Sequence, residues 1–328
     1  MLEITNPTEC ELEIVLKFAF QHLPPSELSI RLDAIMQQQQ SGQIDLSGVF
    51  QAKFAADKHG DTLAGALYAQ SRPDGSVMLW IPTMAKGFSF EPMFEPLLQF
   101  CRAKKAFAAV ALADRQQSFD EQMFCSVGQF RYLSDLIQLV AEVSPNEPPP
   151  DATCRLQFVP LSDDSDGVTD RLTRLVKATY NHSLDFPDLM QIAPVEHVLN
   201  GYKTASLFRP ELWFFLQKED ADVGVLLLTD VSPDQMELTY MGLLESARRQ
   251  GYAKEIVRFA KTMTRRERRL LLLTSVDEKN IPACQSYLSH GFKAWDRKKV
   301  YARFFPDMIM ETQSMHGAIL QPDNPNRM

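Results

Sequence analysis

A short basic segment containing one glycine, Arg248 to Ala253, stands between a predicted strand and a predicted helix. The strand signal ends at Leu244, and an apolar face recurs at helical spacing from about Tyr252 to Arg265. The first-turn N–H groups of a helix have no partner within it, and the helix dipole adds partial positive charge. An anion such as a phosphate binds readily there, and a glycine lets it approach the backbone. Taken alone, the segment fits a solvated turn equally well.

A second group of residues that could do chemistry lies on the next predicted strand–helix unit: Asn280, Ala283, Tyr287 and Gly291-Phe292. The unit begins with an apolar run, Leu270 to Val276, the pattern of a strand buried on both faces. A tyrosine hydroxyl is a neutral proton donor at pH 7, and an asparagine before a helix caps it or binds a ligand. Tyr287 also fits a core position, and Asn280 fits a simple N-cap of the helix Ile281 to Leu288.

Together these segments resemble the two signatures of the GNAT superfamily, the acyl-CoA-dependent N-acyltransferases. The letters RRQGYA, from Arg248 to Ala253, fit the family pattern R/Q-x-x-G-x-G/A after the fourth strand. Asn280, Ala283, Tyr287 and Gly291-Phe292 fit the second signature at the family's separation from the first. The resemblance covers about Leu156 to Phe305. It implies that the fourth and fifth strands are parallel and splay apart to admit an acyl-pantetheine arm.

The resemblance also implies a co-substrate, acetyl-CoA, and a role for each matching residue, with no metal required. The backbone of Met241 and Leu243 would pair with the pantetheine arm as an added strand. Asn280 would bond the pantetheine or nearby backbone, and Tyr287 would protonate the departing thiolate. The pyrophosphate would be held by the loop formed by Arg248, Arg249, Gln250, Gly251, Tyr252 and Ala253.

The attacking amine must be neutral, so a base or a water relay is required, and Glu237 is the candidate base. It lies on the fourth strand, eleven residues before Arg248, a spacing at which some family members place a general base. A half-buried carboxylate near an apolar acyl site has its pKa raised toward neutrality. An edge-of-strand glutamate that faces water is the alternative reading of Glu237.

The polar stretch from Asn181 to Pro210 is expected to choose the acceptor. In the family, the first two helices and their connection form one wall of the acceptor cleft. Here that region offers side chains suited to a cation or an aromatic group: Tyr180, His182, Asp185, Phe186 and Asp188. The expected acceptor is a primary amine of a small molecule or a peptide.

The proline-rich segment Val143 to Ala152 is the clearest break in the chain, because its four prolines cannot continue a helix or a central strand. The predicted domains are residues 1–142 and 154–306, joined by a linker at 143–153 and followed by a tail at 307–328. The two halves show the same order of elements, which indicates a tandem duplication. The predicted fold class is α/β (α+β): two tandem GNAT-like domains, each a mixed, mostly antiparallel twisted sheet flanked by helices. This tandem arrangement is similar to that of mycothiol synthase.

The first half lacks the residues of both signatures. The segment Met84 to Pro92 stands in place of the anion loop, with Phe88 and Phe90 where a pyrophosphate would lie. Phe124 stands in place of Tyr287, and Gln117 in place of Asn280. We therefore expect the first half to keep the fold without catalysis.

Composition limits the remaining function classes. A net charge of −8 argues against a nucleic-acid partner, and no apolar run approaches a membrane span. Five scattered cysteines and an N-terminus without a signal-peptide pattern favour a cytoplasmic protein. The expected oligomeric state is a monomer or a homodimer. The alternative function is a non-catalytic acyl-CoA-binding regulatory module.

Overall fold

The computed structural model describes residues 2–56, 60–114, 117–144, 154–161, 165–204 and 208–307. The predicted linker beyond Ser144 and the predicted tail beyond Asp307 lie outside these residues. The chain divides into two compact units, Met1–Tyr132 with Val300–Met328, and Leu133–Lys299. Among the described residues, no helix is long and apolar enough to cross a membrane.

The first half of the sequence forms four helices and six strands among its described residues. The helices are α1 (Glu9–Ala19), α2 (Pro25–Gln40), α3 (Phe94–Ala103) and α4 (Glu121–Ser126). The strands are β1 (Leu2–Thr5), β2 (Val49–Ala56), β3 (Gly60–Ser71), β4 (Ser76–Met84), β5 (Ala108–Asp114) and β6 (Arg131–Glu142). The glutamine run at 37–40 is the end of α2.

The second half repeats this order with one additional short helix. Its strands are β7 (Gln157–Pro160), β8 (Trp213–Lys218), β9 (Ala221–Ser232), β10 (Gln235–Leu243), β11 (Leu271–Asp277) and β12 (Lys293–Phe304). Its helices are α5 (Asp166–Thr179), α6 (Pro187–Met190), α7 (Val195–Thr204), α8 (Tyr252–Arg266) and α9 (Ile281–Ser289). The shared order confirms the predicted duplication, and α6 and α7 fill the region read from sequence only as variable.

The sheet in each unit is antiparallel apart from one parallel pair. In the first unit the order is β1-β2-β3-β4-β5, and β4 pairs with β5 in parallel. In the second unit the order is β6-β11-β10-β9-β8-β7, and β10 pairs with β11 in parallel. A helix connects each parallel pair, as such connections require. The predicted mixed, mostly antiparallel fold is confirmed.

Two strands do not stay with the half of the sequence that encodes them. Residues 133–142 of β6 belong to the second unit, where they pair with β11. Residues 300–304 of β12 belong to the first unit, beside β5. The compact units therefore differ from the linear limits 1–142 and 154–306. Strand pairing between distant residues, rather than the linker, decides where each unit ends.

The core of the second unit fixes the start of α8 beside the end of β10. Ile256, Val257 and Ala260 form the apolar face of α8, and all three are fully buried. They join the same core cluster as Met236 and Leu238 of β10. Burying a side chain such as Ile256 contributes roughly 1.5–3 kcal/mol, so packing holds the helix in place.

Candidate functional site

The parallel strands β10 and β11 are paired only at their beginnings. Backbone pairing runs from Gln235↔Leu271 to Glu237↔Leu273, although both strands continue beyond these residues. Next to the last pair, the Thr274 hydroxyl donates to the carbonyl of Leu238 over 3.0 Å. Opposite β9, the register of β10 shifts at the same place, which marks a bulge. The two strands part there, and the predicted splay is confirmed.

A cavity of about 640 Å³ occupies this opening. Its walls come from β10, β11, the starts of α8 and α9, and the connection between α5 and α6. The lining includes most of the residues predicted from the two signatures: Met241, Leu243, Arg248, Arg249, Gly251, Tyr252, Ala253, Asn280 and Tyr287. Gln250 and Glu237 are not among the lining residues. The tertiary structure thus brings two segments that are distant in sequence to one cavity.

The loop before α8 is shaped by its glycine. Gly251 precedes the helix with a φ of 83°, a left-handed conformation that favours glycine. A Cβ added there would meet only Nη2 of Arg155, at 3.5 Å, so the space above the loop is open. Since Gly251 is the N-cap and has no side chain, the first-turn N–H groups of α8 receive no side-chain cap. These groups and the open space fit a bound anion.

The side chain of Arg248 makes structural hydrogen bonds that the sequence did not predict. Its guanidinium donates to three backbone carbonyls: Leu243 at 3.1 Å, His182 at 3.0 Å and Thr179 at 2.8 Å. It therefore fastens the end of α5 and the following loop to the end of β10. Arg248 can therefore contribute to anion binding through its backbone and through the positive charge of its guanidinium, but not through the side-chain hydrogen bonds already made to carbonyls.

Arg155 is a supporting residue that the sequence motifs did not indicate. Its Nη2 donates to the carbonyl of Gln250 over 2.8 Å, and its Nε donates to Glu255 over 2.8 Å. Its guanidinium carbon also lies 4.7 Å from the ring centre of Tyr252, a cation–π distance. Arg155 thus braces the anion loop from outside the signature. A lone arginine near a linker carries no spacing signal by which sequence reasoning could find it.

Tyr287 and Asn280 occupy the opposite side of the cavity. Tyr287 is 5% exposed, and its ring packs edge-on against Phe292 with centroids 5.3 Å apart. Burial raises the pKa of its hydroxyl, and a hydrogen bond with Thr274 acts in the opposite direction. The phenol therefore stays protonated at neutral pH. Asn280 caps α9 by accepting the N–H of Ala283 at 3.4 Å, which confirms the cap. It also lines the cavity, and its binding to a ligand stays a prediction.

Glu237 stands at the apex of the opening, at the last paired position of β10 and β11. Because β10 lies between β9 and β11, Glu237 is not on an edge strand. The side chain is half-buried, and burial raises its pKa. Within the described part of the chain, it has no hydrogen-bond or ion-pair partner. Its environment suits a base, although the cavity wall begins one residue further on, at Leu238.

The connection between α5 and α6, where the sequence predicts the acceptor to bind, forms one wall of the cavity. His182, Ser183, Leu184 and Asp185 line the cavity. His182 is mostly exposed, and its Nδ1 lies 3.0 Å from Glu245. The other three predicted side chains are not part of the cavity lining. Tyr180 packs against the core, Phe186 directly precedes α6, and Asp188 is exposed on α6.

The first unit carries the corresponding opening without the signature residues. A cavity of about 570 Å³ is lined by the end of β4, by the following segment with Phe88 and Phe90, and by residues 117–120 beyond β5. Phe124 takes the place of Tyr287, because the residue after its glycine turn bonds back to it: Phe130 N to Phe124 O parallels Phe292 N to Tyr287 O. The equivalent of Asn280 as helix cap is Asp120 rather than Gln117, since Asp120 accepts the N–H of Met123 at 2.9 Å.

Within the residues that the structure describes, no group of three or more His, Cys, Asp or Glu is arranged to hold a metal ion. Residues 178–292, which include every predicted site residue, match the family model described as "Acetyltransferase (GNAT) family". A comparison with curated proteins finds no match.

Two solved structures illustrate the similarity in fold. A GCN5-related N-acetyltransferase from Sphaerobacter thermophilus has a TM-score of 0.58 and 13% identity, over 92% of this chain and 95% of that chain. A GCN5-related glucosamine N-acetyltransferase region of a fungal multi-domain GH3 beta-N-acetylglucosaminidase also has a TM-score of 0.58, with 12% identity. That match covers 92% of this chain and 38% of the fungal chain.

Proposed function

Since residues 178–292 form a domain of the GNAT acetyltransferase family, we propose that this protein transfers an acetyl group from acetyl-CoA to a primary amine of a small molecule or peptide. The observation that carries the proposal is the cavity between the splayed strands β10 and β11, with the uncapped start of α8 at its edge and Tyr287 in its wall. Beyond Glu237, the edge of β10 that faces β11 has no strand partner among the described residues. This open edge supports the proposal that Met241 and Leu243 pair with an extended pantetheine arm.

The chemistry uses direct attack. The neutral amine nitrogen forms a bond to the thioester carbonyl carbon, and the bond from that carbon to sulfur breaks. Tyr287 donates its proton to the departing thiolate, and Glu237 accepts the proton lost by the amine, directly or through water. Cys284 is not required as a nucleophile, because the acyl group passes to the amine in one displacement.

The test is release of free thiol from acetyl-CoA in the presence of a panel of primary amines. Amine-dependent release supports the transferase. The competing reading, a non-catalytic acyl-CoA-binding module, is favoured by the position of Glu237 outside the cavity lining. Tight acetyl-CoA binding without thiol release on any amine would instead support the binding module. In that case Tyr287→Phe should leave acetyl-CoA binding unchanged.

Replacement of Glu237 by glutamine is expected to lower kcat about a hundred-fold. Because burial raises the pKa of Glu237, the wild-type kcat should fall as pH decreases through that raised pKa. The kcat of the variant should not show this fall. The raised pKa also means that the ionised side chain disfavours the folded state above it. The variant should therefore unfold at a higher temperature at pH 7. Glu219→Gln, in the exposed β8–β9 turn, should change neither property.

The first unit is proposed to have a structural role without acyl-CoA binding. Aromatic side chains line its cavity, including Phe88 and Phe90, and no R/Q-x-x-G-x-G/A loop precedes α3. Calorimetric titration should therefore show one acetyl-CoA per chain, and Gly251→Glu should remove it. A second site that survives Gly251→Glu would contradict this assignment.

A further inference from the structure

The acceptor wall of the cavity contains one carboxylate without a cationic partner, Asp185. It lines the cavity and is half-buried. Its Oδ1 accepts the backbone N–H of Asp277 at 3.0 Å. Among the described residues, it makes no ion pair. A buried carboxylate is ordinarily paired with a cation or extensively hydrogen-bonded, so this group lacks a counter-charge.

The carboxylate is held in a fixed position. Asp277, which is 1% exposed, accepts the N–H of Phe186 at 3.0 Å, next to Asp185 in the chain. Asp277 also accepts the N–H of Lys279 at 2.8 Å and the hydroxyl of Ser134. Phe186 has a φ of 38°, a left-handed conformation that is strained for a residue with a side chain. The reciprocal bonds between Asp185-Phe186 and Asp277 compensate for this strain and orient Asp185.

Burial raises the pKa of Tyr180 and of Tyr240, and the charge of Asp185 adds to both shifts, so both tyrosines lie near this carboxylate. Tyr180 and Tyr240 have ring centroids 6.1 Å apart, and Tyr202 lies 6.3 Å from Tyr240. The Tyr180 hydroxyl is buried and has no hydrogen-bond partner in the described structure. Burial raises the pKa of Asp185 to about 6, the N–H of Asp277 opposes the shift, and the charge of Asp277 adds to it. A cation would relieve the desolvation of Asp185, and tyrosine rings are favourable neighbours for one.

Two of the three basic residues that line the described cavity are bonded away from Asp185. The guanidinium of Arg248 bonds three backbone carbonyls, and His182 lies against Glu245. Arg249 lies in the anion loop, two residues before Gly251. None of the described basic residues that line the cavity bonds Asp185, so a cationic ligand can supply its counter-charge.

We propose that Asp185 binds the ammonium group with which the acceptor enters, so that the acceptors are alkylamines or polyamines rather than α-amino acids. An α-amino acid would bring its own carboxylate against Asp185 and Asp277, and this like-charge contact is unfavourable. The inference rests on the proposed transferase function, because it names the acceptor for the same cavity.

The test compares Asp185→Asn with the wild type on butylamine, 1,4-diaminobutane and glycine. Asparagine keeps an oxygen for the Asp277 N–H and removes the charge. The KM for butylamine should rise roughly ten-fold or more, as loss of a charged hydrogen bond predicts, with an unchanged KM for acetyl-CoA. Asp170→Asn, at an exposed position of α5 outside the cavity lining, should leave both constants at wild-type values. Equal KM values for butylamine in the wild type and Asp185→Asn, or a wild-type preference for glycine, would overturn the proposal.

A binding measurement separates this inference from the proposed function. Butylamine is titrated calorimetrically into the complex with coenzyme A, which carries no acyl group and allows no reaction. The wild type should bind butylamine roughly ten-fold more tightly than Asp185→Asn. Equal binding would refute the role of Asp185, whatever the turnover. Failure of acetyl transfer itself would instead appear as an absence of thiol release with every amine.

Discussion

Replacement of Tyr287 by phenylalanine is expected to lower kcat roughly 10³-fold, within the range for loss of a positioned general acid. The KM for acetyl-CoA should change little, because the ring and its contact with Phe292 remain. Burial raises the pKa of the Tyr287 hydroxyl, so the phenol is protonated at every pH at which the amine reacts. Steady-state thiol release over a range of pH measures the effect.

The control for this variant is Tyr68→Phe. Tyr68 is likewise a buried tyrosine, 1% exposed, stacked on Trp80 in the first unit. Its replacement removes a buried phenolic oxygen away from the cavity and should leave kcat unchanged. If Tyr287→Phe kept the wild-type kcat, or if both variants lost the same activity, Tyr287 would not be the acid.

Replacement of Gly251 by glutamate is expected to weaken acetyl-CoA binding roughly a hundred-fold or more. A carboxylate there would stand above the uncapped first turn of α8, where the pyrophosphate is proposed to bind, and like charges in contact cost several kcal/mol. Calorimetric titration with acetyl-CoA measures the loss, and thermal unfolding measures the accompanying strain.

The chain offers a matched control in Gly291. Both glycines have a φ of 83°, and a Cβ at either one would meet a single basic nitrogen, Arg155 at 3.5 Å or Lys261 at 3.6 Å. Gly291→Glu should therefore carry the same backbone strain, roughly 1–2 kcal/mol, but keep normal binding. Equal loss of binding in the two variants would mean that strain, rather than charge at the anion site, causes the effect.

The elements nearest the site were predictable because their signals are local. The helix predicted at Tyr252 to Arg265 is α8, Tyr252–Arg266, and the strand predicted at Leu270 to Val276 is β11, Leu271–Asp277. A regular apolar face and a bare apolar run each reflect burial of one continuous segment. By contrast, α6 and α7 lie in a region rich in His, Pro and Asp, where no such periodicity was recognised.

The sequence by itself determined which segments make the site, since a glycine loop before α8 and a tyrosine on α9 belong to short strand–helix units that form locally. It also determined that the first half lacks these residues. Only the tertiary structure decided how side chains are used. Arg248 bonds three carbonyls, Glu237 stands at the apex of the splay, and Asp185 faces the cavity through its bonds with Asp277. It also decided that residues 133–142 of β6 belong to the second unit and residues 300–304 of β12 to the first. These features depend on contacts between residues far apart in the chain, and the pattern of one segment carries no information about its distant partner.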